Sequence, residues 1–338
     1  MKSASLKKQL LIVTLASIIL TSILLIGVSL YIFKNDAENS LKIAESEQKD
    51  DYEYIIQSRE KGFFKQLEQT MAANARVAGM FSGNQKILDV YEALGNLDIY
   101  DETSQVAKDA RSSIKSVTNK MIETMAYKNK NIVKIHYHTR NAKSLARTWR
   151  SDWQTKKDGK KVDISDDLSS FRKSVLAVNS QKKDILGVEV GRSGLAIRSL
   201  TPLNNEEGDH LGSVEAFSSF NDLFNELRFD KSEHIAVFLK KNYLKIATKL
   251  KDTKIYPIID NKYSLINYSS KKHFTDIFKS AQDLDVTSSK QKIIGDRMVN
   301  IIPIKDFSGN IVASLVYSFD YSTEIDLLDM KKEEVGVV

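Results

Sequence analysis

Residues 134–217 decide how this chain is read: KIHYHTRNAKSLARTWR (134–150), DDLSSFRKSVLAVN (166–179), GVEVGRSGLAIRSLTPL (187–203) and GSVEAF (212–217). Apolar and polar side chains alternate along all but the second of these runs, the period of strands that turn one face to a core. The strand-like runs carry His136, His138, Arg147, Glu189, Arg198 and Glu215. Charges at strand positions that face inward are costly unless they are paired or used. This segment therefore builds either a salt-bridged scaffold or a binding pocket.

The period-two pattern predicts strands at 132–139, 144–150, 185–190, 195–201 and 211–218. Between the second and third, a helix is predicted to open at Ser165, Asp166 or Asp167 and to close near Asn179. Asp and Ser there suit free N–H groups, and Asn suits a helix end. Arg172 reads as a local charge partner of the two aspartates. Upstream, 128–131 is a polar break, and 103–127 is a predicted helix with Val106, Ala110, Ile114, Val117, Met121 and Met125 on one face. A short helix is predicted at 84–93.

Downstream, 194–219 aligns without gaps on 295–320, an offset of 101 residues. Gly194 meets Gly295, Pro202 meets Pro303, Gly208 meets Gly309 and Ser213 meets Ser314. Each copy reads as a strand, a Pro-bounded turn, a Gly-containing loop and a return strand. Further strands are predicted at 234–240 and 243–248, followed by helical or loop material at 271–283. In the second copy Val299 and Val316 stand where the first has Arg198 and Glu215. The charged pair is not needed to build the hairpin, which favours a pocket peculiar to the first module.

The other end of the chain is apolar. Residues 10–33, LLIVTLASIILTSILLIGVSLYIF, carry no charge. A helix rising 1.5 Å per residue over this run crosses a hydrocarbon core about 30 Å thick. The run exceeds the roughly 7–15 apolar residues of a cleaved signal. Lys2, Lys7 and Lys8 precede it, which favours a cytoplasmic N-terminus and an extracytoplasmic remainder. No proline occurs before Pro202, and Gly62 is the only glycine between 28 and 78. A long helix over about 36–80 is expected, with Tyr52, Ile56, Phe63, Leu67, Met71 and Ala78 recurring on one face.

The net charge of +6 is spread among alternating acids and bases, with no basic stripe interleaved with aromatics, so no nucleic-acid partner is expected. There is no cysteine, hence no thiolate site and no disulfide. No G-x-S-x-G, H-E-x-x-H or P-loop motif occurs, and the glycines at 187, 191 and 194 do not make a nucleotide loop, so catalysis is not expected. His136 and His138 share a strand face and can begin a zinc site. A third protein ligand is required, which Glu189 or Glu215 supplies only if the sheet brings it close. Neither a metal nor a cofactor is expected. Arg147 and Arg198 can grip a carboxylate with two bonds, and Trp149 can wall off an apolar part. The rival reading pairs Arg198 with Glu215 across their hairpin.

Taken in order, His136-x-His138, Ser144-x-x-Arg147, Asp166-Asp167-Leu168-Ser169 with Arg172, Gly187-x-Glu189-x-Gly191-Arg192-x-Gly194-Leu195, Arg198, Pro202 and Gly212-Ser213-Val214-Glu215 resemble the third double-Cache subfamily of extracytoplasmic sensory domains, related to the PAS fold. The resemblance covers about 35–322. It implies an α+β fold: a transmembrane helix (10–33) after a cytoplasmic N-terminus (1–9), a long helix (34–80), a membrane-distal Cache module (81–225), a membrane-proximal one (226–322) and an exit segment (323–338). It implies a ligand-sensing part of a chemoreceptor, histidine kinase or diguanylate cyclase, working as a homodimer in the plasma membrane. The distal module would bind a small molecule, with a carboxylate expected, through Arg147, Trp149, Arg198, Glu189, Glu215, His138 and His136. Such receptors have a second membrane helix and a cytoplasmic output domain. Here the chain ends at KKEEVGVV, so either it is truncated or its output is carried by a partner. The alternative is an anchored structural or interaction protein without a small-molecule ligand.

Overall fold

The computed structural model describes residues 2–95, 104–126, 133–227, 233–280, 285, 288 and 290–335. The first helix, α1 (Lys2–Ser82), is unbroken, as a run without proline permits. Among the described residues it is the one helix long and apolar enough to cross a membrane. Two helices follow, α2 (Gln85–Leu94), closed by Gly95 at φ 50°, and α3 (Gln105–Ala126). In α3 Ala110 and Ile114 are buried as expected, but Val106 is exposed and Ala107 takes the inner position.

Next come β1 (Lys134–Thr139), β2 (Ser144–Arg147), a small hairpin of β3 (Thr155–Lys157) and β4 (Lys160–Val162), α4 (Lys173–Gln181), β5 (Ile185–Gly191), β6 (Gly194–Asn204), β7 (His210–Ser219) and α5 (Phe220–Glu226). The five long strands form one antiparallel sheet in the order β2-β1-β7-β6-β5. Strand alternation sorts its side chains. Ile135, Tyr137, Val214 and Ala216 join the ends of α1, α2 and α3 in one core. His136, His138, Glu215 and Arg198 stand one residue out of phase and take the opposite face, under α4. Val175 and Val178 of α4 pack there with Leu168 and Leu200.

The second sheet uses β8 (His234–Lys240), β9 (Ile258–Ile259), β10 (Tyr263–Tyr268), β11 (Lys290–Ile294), β12 (Arg297–Lys305) and β13 (Ile311–Asp320), in the order β11-β12-β13-β8-β10-β9. Without the two-residue β9, its strand order repeats that of the first sheet. The hairpins β6–β7 and β12–β13 occupy the positions that the 101-residue offset predicts. Helix α6 (Lys271–Ser280) covers the second sheet through Phe274 and Ile277. Both sheets lie in one compact unit, 60–319. There the 3-10 helix Thr248–Leu250 meets the first sheet, Lys249 N donating to Arg192 O at 3.0 Å. Phe307 N donates to Val188 O at 3.1 Å. The other unit joins the part of α1 before residue 60 to α7 (Ser322–Val335) and holds an edge-on contact of Tyr52 with Tyr321 at 4.8 Å.

Three expectations are corrected. The helix expected from 165 to 179 starts only at Lys173, because the two aspartates serve other partners: Asp166 meets Arg147 at 2.7 Å, and Asp167 accepts from Ser169 N at 2.8 Å in a local turn. The strand expected at 144–150 stops at Arg147, where Arg150 N closes a turn on Arg147 O. The strand expected at 243–248 is instead the 3-10 helix Lys241–Lys245 and its exit, with Tyr243 O accepting from Ile246 N and Ala247 N. The polar break at 128–131 and the outermost residues of the expected elements at 103, 127 and 132 lie outside the described residues.

Candidate functional site

The face beneath α4 gathers the charges. His136 is directly opposite Glu215 on the β1–β7 ladder, and opposite Arg147 on the β1–β2 ladder. Glu215 is fully buried. Its Oε1 accepts from Arg198 Nη1 at 2.5 Å and from Arg172 Nη2 at 2.8 Å. Glu189 completes the group. Its Oε2 meets Arg172 Nε at 2.8 Å and Arg198 Nε at 3.2 Å, and it also accepts from the hydroxyl and backbone N–H of Ser174. Burial raises the carboxyl of Glu215, but the Arg172 and Arg198 guanidiniums outweigh it and hold the group well below the usual carboxylate range. Arg198 reaches Glu215 along a diagonal of two residues, since Leu200 is its direct partner across the ladder. Gly191 makes room for it: a Cβ there would meet Arg198 Nη2 at 2.6 Å.

The other face of Glu215 meets two imidazoles. His136 Nδ1 and His138 Nε2 each lie 3.5 Å from its Oε2, and 3.0 Å from each other. The outer nitrogens are held by hydroxyls, His136 Nε2 by Ser144 Oγ at 2.7 Å and His138 Nδ1 by Ser213 Oγ at 3.2 Å. Burial lowers both imidazoles, His138 to about 4, and for His136 the neighbouring His138 and Arg147 push further. Both are therefore neutral near pH 7.

A cavity of about 260 Å³ opens beside this cluster. His136, Arg147, Trp149, Arg172 and Arg198 line it; His138, Glu189 and Glu215 do not. Arg150 and Arg192 line it too, with Lys134 and Lys249. No Asp or Glu is among its lining residues. Arg147 is paired with Asp166, and Arg192 reaches the same carboxylate at 3.4 Å. Arg150 differs. It lies over Trp153, 4.2 Å from the ring centroid, and near Trp149 at 5.8 Å. Half-buried, it is pushed down to about 10 by desolvation and by Arg147. Trp149 is held edge-on between His136 at 5.8 Å and Phe217 at 5.2 Å.

Alternation along the sequence assigns Arg150 to the side away from Arg147. The strand end at Arg147 brings both to one cavity instead. Arg172, expected to serve the aspartates locally, is buried between Glu189 and Glu215. Its place in the motif order was the one signal that it mattered. Lys249 comes from the second sheet's connecting segment, and no local pattern points to it.

A family model, the double sensory domain of two-component sensor kinase (dCache_3), matches residues 92–320. No curated protein matches the chain. Among solved structures, the sensor domain of the Vibrio cholerae histidine kinase DctB is similar at 12% identity, over 80% of this chain and 98% of that one, with a TM-score of 0.45. The ligand-binding domain of the Campylobacter jejuni chemoreceptor Tlp3, in complex with L-valine, is similar at 11% identity, over 82% and 96%, with a TM-score of 0.40. The periplasmic domain of Vibrio cholerae LuxQ is similar at 10% identity, over 78% and 99%, with a TM-score of 0.42. By the family model, which spans the strands of both sheets, the chain belongs to the dCache_3 family of double sensory domains of two-component sensor kinases.

Proposed function

We propose that this chain is the extracytoplasmic ligand-sensing part of a transmembrane receptor, and that the first-sheet cavity binds a small molecule bearing a carboxylate. The observation that carries the reading is the cavity wall: five arginines and two lysines line it, with no carboxylate among them. Asp166, Glu189 and Glu215, behind that wall, offset part of this charge. Arg150 forms no ion pair with a carboxylate among the described residues, Asp166 acting on it only from a distance, and it is the charge a ligand would neutralise. A guanidinium already stripped of much of its water and flanked by Arg147 gains most from an anion. Trp149 supplies an apolar wall for the rest of the ligand.

In this reading Arg147, Arg150, Trp149 and Arg198 touch the ligand, with His136 at the cavity edge. Glu189, Glu215 and His138 act from behind, holding the arginines and the wall in place. The chain is not an enzyme. It crosses the plasma membrane through residues 10–33, works as a homodimer and passes its signal to a cytoplasmic output. The division into a membrane-distal module (81–225) and a proximal one (226–322) belongs to the same proposal. A signal requires that the ligand bind one packing of the helix and sheet better than another.

Thermal unfolding of the full chain in detergent, screened against organic acids and amino acids, tests this. At least one carboxylate ligand should raise the melting temperature, and Arg150→Ala should remove the shift without lowering the unliganded value appreciably. A panel without any shift, or a hit that survives Arg150→Ala, would overturn the cavity assignment. A second reading, an anchored interaction protein, draws on the mutual pairing of Arg172, Arg198, Glu189 and Glu215. It expects no saturable small-molecule binding.

A further inference from the structure

We propose that His136, His138 and Glu215 form a binding site for a divalent transition-metal ion, with zinc the best fit. The proposal stands apart from the anion cavity and does not need it. Three donor atoms converge, His136 Nδ1, His138 Nε2 and Glu215 Oε2, with separations of 3.0, 3.5 and 3.5 Å. Donors about 2.0–2.1 Å from one tetrahedral ion lie roughly 3.3–3.4 Å apart. The three atoms therefore already describe one face of such a tetrahedron. Their residues are 2%, 0% and 0% exposed, so packing fixes the arrangement.

The hydrogen-bond accounting points the same way. A neutral imidazole has one N–H and one lone pair. With both N–H groups turned outward to Ser144 and Ser213, three lone pairs face one another across the centre. With the N–H groups turned inward, their contacts to Glu215 Oε2 are 3.5 Å long, at the limit of hydrogen-bond distance. Glu215 Oε2 is buried, with no hydrogen bond shorter than these two long imidazole contacts. A metal ion would take all three lone pairs at once.

The surroundings are those of a ligating pair of histidines. Each outer nitrogen is oriented by a hydroxyl, the arrangement that sets the tautomer in metal sites. Charge does not forbid the ion. Arg172 and Arg198 are paired with Glu189 and Glu215, which offsets their repulsion of a cation. Two nitrogens and one oxygen suit zinc and its neighbours; calcium and magnesium call for oxygen sets. Three protein donors leave one tetrahedral position open, as in zinc sites that bind a further molecule.

The test uses the full chain in detergent, stripped with a chelator. It is titrated with Zn2+ against a chromophoric competitor, and separately with Co2+ followed in the visible range. About one equivalent per chain should saturate, and Co2+ should give the intense bands of a tetrahedral site. His136→Asn and His138→Asn should each weaken Zn2+ binding by more than tenfold. Ser144→Ala, which keeps all three ligands and removes the hydroxyl behind His136, should weaken it ~10-fold. No saturable binding, or Zn2+ affinity unchanged in Ser144→Ala and in either folded histidine variant, overturns the site. If both histidine variants fail to fold, the Ser144→Ala affinity and the cobalt spectrum decide it.

Discussion

Glu215 shows how one carboxylate can serve as the hub of a buried network. Its Oε1 faces two guanidiniums and its Oε2 faces two imidazoles. Removing one partner of a buried pair leaves an uncompensated charge, which typically costs about 3–5 kcal/mol. Glu215→Ala should lower unfolding stability by about that amount in a urea titration. Val316, at the corresponding place of the second hairpin, should tolerate Ala at the smaller cost of a lost core side chain. A second residue gives a pH signature. His273 donates to or accepts from Ser318 Oγ at 2.9 Å and faces His234, Arg297, Asp296 and Asp276. Desolvation, His234 and Arg297 lower it to about 4. The unfolded chain takes that proton near 6.5. Between these values unfolding binds a proton, so acid weakens the fold. Melting temperature should fall as pH drops from about 6.5 to 4, and His273→Asn should flatten the slope. The Arg198–Glu215 pair was legible at this scale, because one hairpin joins two charged strands of known phase. Arg172 was not, because it reaches its partners from a turn that has no period. Arg150 was misassigned for a related reason: alternation holds only while the strand lasts.

At the scale of elements, α1 is tied to the middle of the first sheet by side chains rather than by apolar contact alone. Asn74 donates to Ile197 O at 3.1 Å and accepts from Ser218 Oγ at 3.0 Å. Ser199 Oγ donates to Met71 O at 2.8 Å. Ile197 and Ser199 flank Arg198, so helix and cavity wall share a stretch of three residues on β6. Asn74→Ala should cost about 1–3 kcal/mol, since it strands a buried carbonyl, and chemical denaturation can measure this. The helix itself was legible from the absence of proline and the spacing of Phe63, Leu67 and Ala78. The hairpins were legible from the offset of their glycines and prolines. The start of α4 was not. Asp166 and Asp167 carry a strong capping signal, and only the fold shows that Asp166 is spent on Arg147 and Arg192.

At the scale of the whole molecule, the described contacts bring the second sheet to the first through backbone. Phe307 N bonds Val188 O, and Lys249 N bonds Arg192 O. Gly187 sits at φ 154° beneath Phe307, and a Cβ there would approach the Phe307 Cβ to 2.7 Å. Gly187→Ala should therefore destabilise the chain by about 1–3 kcal/mol through overpacking, and limited proteolysis should then cut between the sheets sooner than in the parent. Contacts of this kind have no local signature, because the partners are far apart in the sequence and meet through main-chain atoms.

The two-ended grip of Asn74 has a mechanical corollary. Sliding an α-helix by one residue advances it 1.5 Å and turns it by about 100°. That step would carry the amide away from both strands together. The side chain thus acts as a key in a slot, fixing the rotational phase of this part of α1 against β6 and β7. Movement that keeps the key seated must carry helix and strands as one piece; a screw motion must first break the slot.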